Sequence, residues 1–298
     1  MFKSTDHKVP LGHVTDTECK PDVTAAFDIH WQVKATTLWP CIRLAGEVAS
    51  AGKSKEDQMN QAISYLHYLL LARPDLHVAQ GLLVSKTRIT FLFGIGGSGI
   101  HRLSINWTDP KLYKLIFSFF YRLYDPGHFR DASYVEMVPH FQKNFVEYTI
   151  RISISTEDDG VKDLDCPGFS LIHSTSPFGT RTHILSNPLS DVRFNGKVLT
   201  VVKDQLSRPD SRFDEYTILT GHVHSPEKVP GVVEAVCHQL VEIPESLGVS
   251  RVKHRIGLRQ SGSPITSIPT LRGMLEVVFD VLEGTSITIG CISSLTCL

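Results

Sequence analysis

The sequence predicts an α+β protein in two parts, a mixed helix-and-strand first half followed by an antiparallel sheet carrying one helix. Three observations lead there. Segments with the two-residue alternation of strands recur along the 298 residues. Two segments of the first half carry apolar residues at helical spacing behind recognisable caps. In the second half the order is strands, one helix, two strands, then a loop leading into a helix. Composition agrees, because 42% hydrophobic and 20% charged residues exclude a disordered chain.

Taken in order, residues 1–21 are polar and expected to be loose. Residues 26–35 (AFDIHWQVKA) have the alternation and aromatic content of a strand. A helix is predicted over 54–73: Ser54 and Asp57 make a capping-box-like start, Met59, Ile63, Leu66 and Leu70 share a face, and Pro74 stops it. Strands are predicted at 77–84, 87–93 and 100–107. Asp109-Pro110 then reads as an N-cap and first-turn proline opening a helix to residue 122, with Leu112, Ile116, Phe119 and Leu123 on its buried stripe. Residues 145–154 alternate as a half-exposed strand does. The acidic, turn-rich stretch 156–165 (TEDDGVKDLD) reads as the boundary between domains at about 22–155 and 165–283. Beyond it strands are predicted at 169–174, 182–185 and 197–203, a helix at 210–221, strands at 232–241 and 252–258, and a helix at 268–283. A divergent apolar tail, 284–298, closes the chain.

Charge and cysteine content narrow the function classes. Thirty basic against thirty-one acidic residues, a net charge of −1, remove the electrostatic case for a dedicated nucleic-acid binder. No apolar run has bilayer length, and the N-terminus lacks the apolar core of a secretory signal, so an intracellular protein, cytoplasmic or nuclear, is expected. The six cysteines are scattered without zinc-ligand spacing and read as buried thiols.

Several motifs look chemical and fail on context. Residues 94–99 (GIGGSG) satisfy the dinucleotide fingerprint, but the following residues read as a strand where a pyrophosphate-binding helix should begin, so a hairpin turn is the better account. Gly52-Lys53-Ser54 lacks the upstream glycine of a phosphate loop, and His128-Phe129-Arg130-Asp131 lacks the later Asn of a phosphoryl-transfer catalytic loop. Asp28 with Gln32 and Lys34 faintly suggests a metal-dependent nuclease, but the spacing is tight and an amide replaces the usual carboxylate.

The second half holds a better set. Lys203 ends the buried run Val201-Val202-Lys203, Glu215 follows twelve positions on in a predicted helix, and Gly179 lies at the tip of the turn 176–181 (SPFGTR). Phosphoryl transfer requires a strand-borne ammonium on the α and β phosphates, a carboxylate to orient it, and backbone amides over the phosphates. The three elements occur in that chain order. The bland alternative is a hairpin turn, a strand-end lysine and an exposed helical glutamate.

The sequence resembles the fungal-type protein kinase domain family. The resemblance is carried in the first half by Asp28-Ile29-His30-Trp31-Gln32-Val33-Lys34, Leu70-Leu71-Ala72-Arg73-Pro74, Phe93-Gly94-Ile95-Gly96-Gly97-Ser98-Gly99 and Leu123-Tyr124-Asp125-Pro126. In the second half it is carried by Phe178-Gly179-Thr180-Arg181, Val201-Val202-Lys203-Asp204, Glu215-Tyr216-Thr217-Ile218-Leu219 and Pro230-Gly231-Val232-Val233. It implies a kinase-like N-lobe after an upstream domain, with most of the C-lobe missing. Lys203 would be its phosphate anchor, Glu215 the partner of that lysine, Gly179 the remnant of a glycine-rich loop, and 256–261 the fifth strand and hinge facing an adenine ring. The implied family activity is ATP-dependent phosphorylation of Ser or Thr in proteins. The catalytic loop, with its Asp base and metal-binding Asn, and the later metal-binding Asp before Phe-Gly are not found after 275–282. The expectation is therefore weak or lost ATP binding, no Mg²⁺ site, no catalytic residue and no phosphoryl transfer. A non-catalytic, pseudokinase-like interaction module with an unknown protein partner is the alternative.

Overall fold

A computed structural model describes residues 2–4, 9–15, 19–26, 37–156, 160–209, 215–223, 233–259 and 270. Within them the chain is a mixed α+β structure dominated by two sheets. The first sheet takes its six strands in chain order: β1 (Phe2–Ser4), β2 (Val23–Ala25), β3 (Leu44–Val48), β4 (Val78–Val84), β5 (Arg88–Ile95) and β6 (Gly99–Asn106). Only β3 and β4 run parallel, and the crossover this demands is helix α1 (Lys55–Ala72). α1 starts as its sequence predicts, with the Ser54 hydroxyl accepting the Asp57 N–H at 3.0 Å. Its buried stripe is wider than predicted, because Ala62, Tyr65 and Leu69 join Leu66 and Leu70 against Trp39, Ile42 and Leu92.

The opposite face is covered by α2 (Leu112–Tyr124), where Leu112, Phe119 and Leu123 pack on Leu82, Ile89 and Phe91, as the apolar spacing predicts. α2 begins later than Asp109, whose carboxylate instead accepts the Lys111 N–H at 2.8 Å in a turn. The GIGGSG segment is the β5–β6 hairpin turn. Gly97 there has φ +77°, a conformation glycine adopts without strain, and 99–106 is strand where a dinucleotide site needs a helix.

The second sheet has seven antiparallel strands. They are β7 (Tyr134–His140), β8 (Phe145–Thr156), β9 (Gly160–Ser174), β10 (Thr182–Ser186), β13 (Val201–Ser207), β14 (Ala235–Val241) and β15 (Val252–Leu258), in the spatial order β14-β15-β13-β10-β9-β8-β7. β11 (Arg193–Phe194) and β12 (Lys197–Val198) form a separate ribbon, so the single strand predicted at 197–203 is interrupted. β7 has no counterpart among the predicted strands; it contains Pro139 but lies at the end of the sheet order, where a missing N–H is tolerated. The short β3 also went unpredicted. One apolar cluster draws Tyr148 and Ile150 from β8, Phe169 from β9, Leu185 from β10, Val202 from β13 and Cys237 from β14, so the sheet curls over its own inner face. A bulge at Cys237 sits opposite Gly257, where any Cβ would collide with the Cys237 sulfur. Cys41, Cys166 and Cys237 are buried free thiols.

The stretch read as a domain boundary is built into this sheet. β8 and β9 pair from Glu147–Ser170 out to Thr156–Gly160, so 160–165 of that stretch are strand paired with β8. The strand predicted at 26–35 (beyond Ala26), the helix at 268–283 (beyond Thr270) and the tail 284–298 lie outside the described residues.

A buried ionic cluster joins β15 and β13 to the segment leading into β7. Arg255, fully buried, forks onto Asp204 with two bonds of 2.7 Å and donates to the Ser133 hydroxyl at 2.6 Å. Lys253 lies 2.5 Å from Asp131 and 2.8 Å from Asp204. The Tyr134 hydroxyl donates to Asp204 at 2.8 Å, and its ring lies beneath both cations.

Candidate functional site

β13 alternates in burial, which sends successive side chains of Val201-Val202-Lys203-Asp204 to opposite faces. Val202 and Asp204 enter the inner face and the ionic cluster. Val201 and Lys203 take the outer face, where Lys203 lies between Ile184 of β10 and Ile256 of β15. A single helical turn, α3 (Glu215–Thr217), continues as a wider turn over Ile218–Val223. Tyr216 and Leu219 from it pack on Val201, Ile184, Ile256, Leu258 and Ala235. This packing presents Glu215 to the lysine, and its carboxylate meets the Lys203 ammonium at 2.5 Å. The two side chains are 21% and 35% exposed, so the pair is open to solvent on one side and contributes at most about 1 kcal/mol to stability. Its chemical value is orientation: a cation on a strand, its stem between two isoleucines, aimed by a carboxylate and still reachable.

Gly179 sits at the tip of the β9–β10 turn with an ordinary φ and open space around its Cα, so nothing in the fold itself requires glycine there. The side chains beside it are committed elsewhere. Phe178 packs against α1 and lies 6.0 Å from the His67 ring. Arg181 is buried, and its guanidinium donates to the carbonyls of Leu76, Leu70 and Arg73 at 2.6, 2.7 and 2.8 Å. Pro177 also accepts the Gly97 N–H at 3.0 Å. The turn read as a phosphate cover is therefore also the cap on the C-terminal end of α1, whose last carbonyls lack helical partners. Arg181→Ala removes three donors from those carbonyls, leaving Leu70 with His183 and Arg73 with the Leu76 N–H, and is expected to cost about 2 kcal/mol in urea unfolding, with faster amide exchange at the end of α1.

Sequence reasoning missed the neighbours of the lysine on the outer face. The Tyr216 ring stacks on His238 at 4.8 Å, His238 stacks on His254 at 5.3 Å, and the two imidazoles share a 3.0 Å hydrogen bond between Nε2 and Nδ1. Strand parity carried a signal, since His254 alternates in phase with Ile256. The pairing of β14 with β15 that brings His238 alongside was not readable. Asp28, Gln32 and Lys34 lie outside the described residues, as do hinge positions 260 and 261. Among the described residues no three His, Cys, Asp or Glu side chains converge as a metal ion requires, and no helix is long and apolar enough to cross a membrane.

Comparison with family models, with curated proteins and with solved structures finds no match for this chain. The geometry of Lys203 and Glu215 is thus the functional signal the molecule itself offers.

Proposed function

We propose that residues 160–258 form a nucleotide-holding lobe of the protein-kinase kind, belonging to a fungal-type protein kinase domain protein. The supporting observation is the Lys203–Glu215 ion pair. Counting from β9 within the seven-stranded sheet, and leaving out the β11–β12 ribbon, the lysine is on the third strand and the glutamate on the helical turn that follows, which is how kinases present a lysine to phosphates and hold it with a helix-borne carboxylate. The fit to ATP is good at the anchor and poorer at the cover, because the single-glycine turn is tied to α1 through Arg181. Bound ATP would supply the transferable phosphoryl group. Lys203 would hold its α and β phosphates, Glu215 would orient the ammonium, and the backbone around Gly179 would approach the phosphates.

Nucleotide binding is the activity proposed for these 298 residues, with Lys203 and Glu215 as its carriers. A fluorescent ATP analogue is expected to bind saturably, with Lys203→Met losing about tenfold or more and Glu215→Gln less, at unchanged circular dichroism. Absence of saturable binding to the folded chain would sink the reading. Radiolabelled ATP should leave no phosphate on the chain or on casein. Incorporation that disappears in Lys203→Met would show that transfer does occur.

The tethering of Phe178 and Arg181 to α1 favours a second reading, a non-catalytic interaction module. In that case the β9–β10 turn is an internal brace. The folded chain would then ignore ATP altogether, while Arg181→Ala would still destabilise it.

A further inference from the structure

The first sheet carries a groove unrelated to Lys203. α1 covers β3 to β5 but stops short of β6, leaving a channel of about 950 Å³ between the helix and the last strand. Leu83, Met59 and Ile63 give the channel an apolar strip. The hydroxyls of Thr90 and Ser104, bonded to each other at 2.8 Å, lie on its sheet side. Its charge is one-sided. Among the described residues Lys53, Lys55, Lys86, Arg88 and Arg102 line it against the single carboxylate of Glu56, in a chain whose net charge is −1.

Lys53 is engaged with Glu47 and Gln61. The other four cations have no side-chain partner among the described residues, whereas Arg255 and Lys253 of the inner cluster are both paired, as buried Arg73 is with Asp75. Unpaired like charges gathered around one concavity repel one another, and the walls focus their field into the channel. An anionic occupant relieves that repulsion.

We propose that this groove binds a phosphorylated segment of a polypeptide. Arg88 and Arg102 can each fork onto a phosphate, which carries nearly two charges and several acceptor oxygens, and Lys55 and Lys86 add point charges beside them. The apolar strip selects a polypeptide over a bare polyphosphate, because it offers a seat to side chains flanking the phosphate. Among the described residues no aromatic ring lines the groove, so they offer no stacking platform of the kind single-stranded nucleic acid needs. The groove lies on the first sheet and the Lys203 site on the second, so this inference stands apart from the nucleotide reading.

The test uses the full chain and fluorescence anisotropy with a labelled peptide of alternating phosphoserine and leucine. The same peptide with unmodified serine, inorganic phosphate and an oligothymidine serve as comparisons. The phosphopeptide is expected to bind about tenfold or more tighter than the serine peptide. Inorganic phosphate should compete weakly. The exposed double variant Arg88→Ala/Arg102→Ala should lose at least about tenfold with unchanged thermal unfolding, and Lys86→Glu, in a turn, should lose affinity too. Equal binding of both peptides, equal binding of oligothymidine, or unchanged binding by both variants would each overturn the proposal. So would inorganic phosphate displacing the peptide at matching affinity, which would reduce the groove to a simple anion site.

Discussion

Arg255→Met is expected to destabilise the protein by about 3–5 kcal/mol, a large part of the roughly 5–15 kcal/mol available to a folded domain. The reason lies in what the substitution leaves behind. Asp204 is fully buried and accepts two guanidinium bonds from Arg255, one from Lys253 and one from the Tyr134 hydroxyl. Burial alone would raise its carboxyl, but Arg255 and then Lys253 hold it far below the ordinary carboxylate range. Removing Arg255 takes away the larger of those opposing fields and also takes a donor from the Arg151 carbonyl and from the Ser133 hydroxyl, which keeps its own bond to Asp131. Urea unfolding monitored by tryptophan fluorescence gives the cost directly. Arg255→Met combined with Asp204→Leu removes both members of the pair and should recover most of the loss, because an absent charge needs no partner. A single variant costing under about 1 kcal/mol would show that the cluster contributes little to stability.

Acid is expected to unfold the protein in two stages with different owners. The first belongs to buried histidines. Burial, and then the Lys253 charge, pushes His77 down to about 4, and burial with the Arg181 charge lowers His183 well below its ordinary value. The unfolded chain takes up these protons near pH 6.5, so between that pH and about 4 it binds more protons than the folded state, and stability rises with pH there. The His77 contribution is fully present above pH 6.5 and lost as the pH falls to about 4, a change of roughly 3 kcal/mol. Glu47, raised by its burial, works in the opposite sense and softens the lower part of the decline. The second stage belongs to Asp75, Asp131 and Asp204. Burial would raise all three, but Arg73 holds Asp75, Lys253 holds Asp131 and Arg255 holds Asp204 below the usual carboxylate range. Their stabilisation is present above the unfolded carboxylate value near 4 and is lost as the pH falls further. Urea midpoints measured at intervals between about pH 7 and pH 4 should fall steadily, and His77→Leu should flatten that slope. An unchanged slope in His77→Leu would remove this histidine from the account.

Much of this structure was legible residue by residue. Ser54 and Pro74 bracket α1 because a cap and a stop act within one turn of helix. Residues 252–258 alternate and form β15 over the expected range. The GIGGSG segment could be taken as a hairpin turn because a strand, not a helix, follows it. Lys203 and Glu215 could be paired in advance because order and spacing along the chain carry that information. β3 is short and rich in small residues, and β7 contains a proline, so neither announces itself, and both exist because neighbouring strands supply their hydrogen bonds.

By itself the sequence determined the local matters: where helices start and stop, which residues alternate, where glycine turns the chain, and that a lysine and a glutamate stand in a suggestive order. Only the tertiary structure decided which of its charges are internal. Parity along β13 separates Lys203 from Asp204, but it cannot say which face is covered. Asp204 finds Arg255 across 51 positions and Asp131 finds Lys253 across 122. The turn read as a ligand cover also braces α1 through Arg181, at separations of 105 to 111 positions. The groove beside β6 exists because α1 is one strand too narrow for its sheet. Capping, turns and periodicity act over a few residues and are written in the chain, whereas burial and pairing are set by what the fold lays on top.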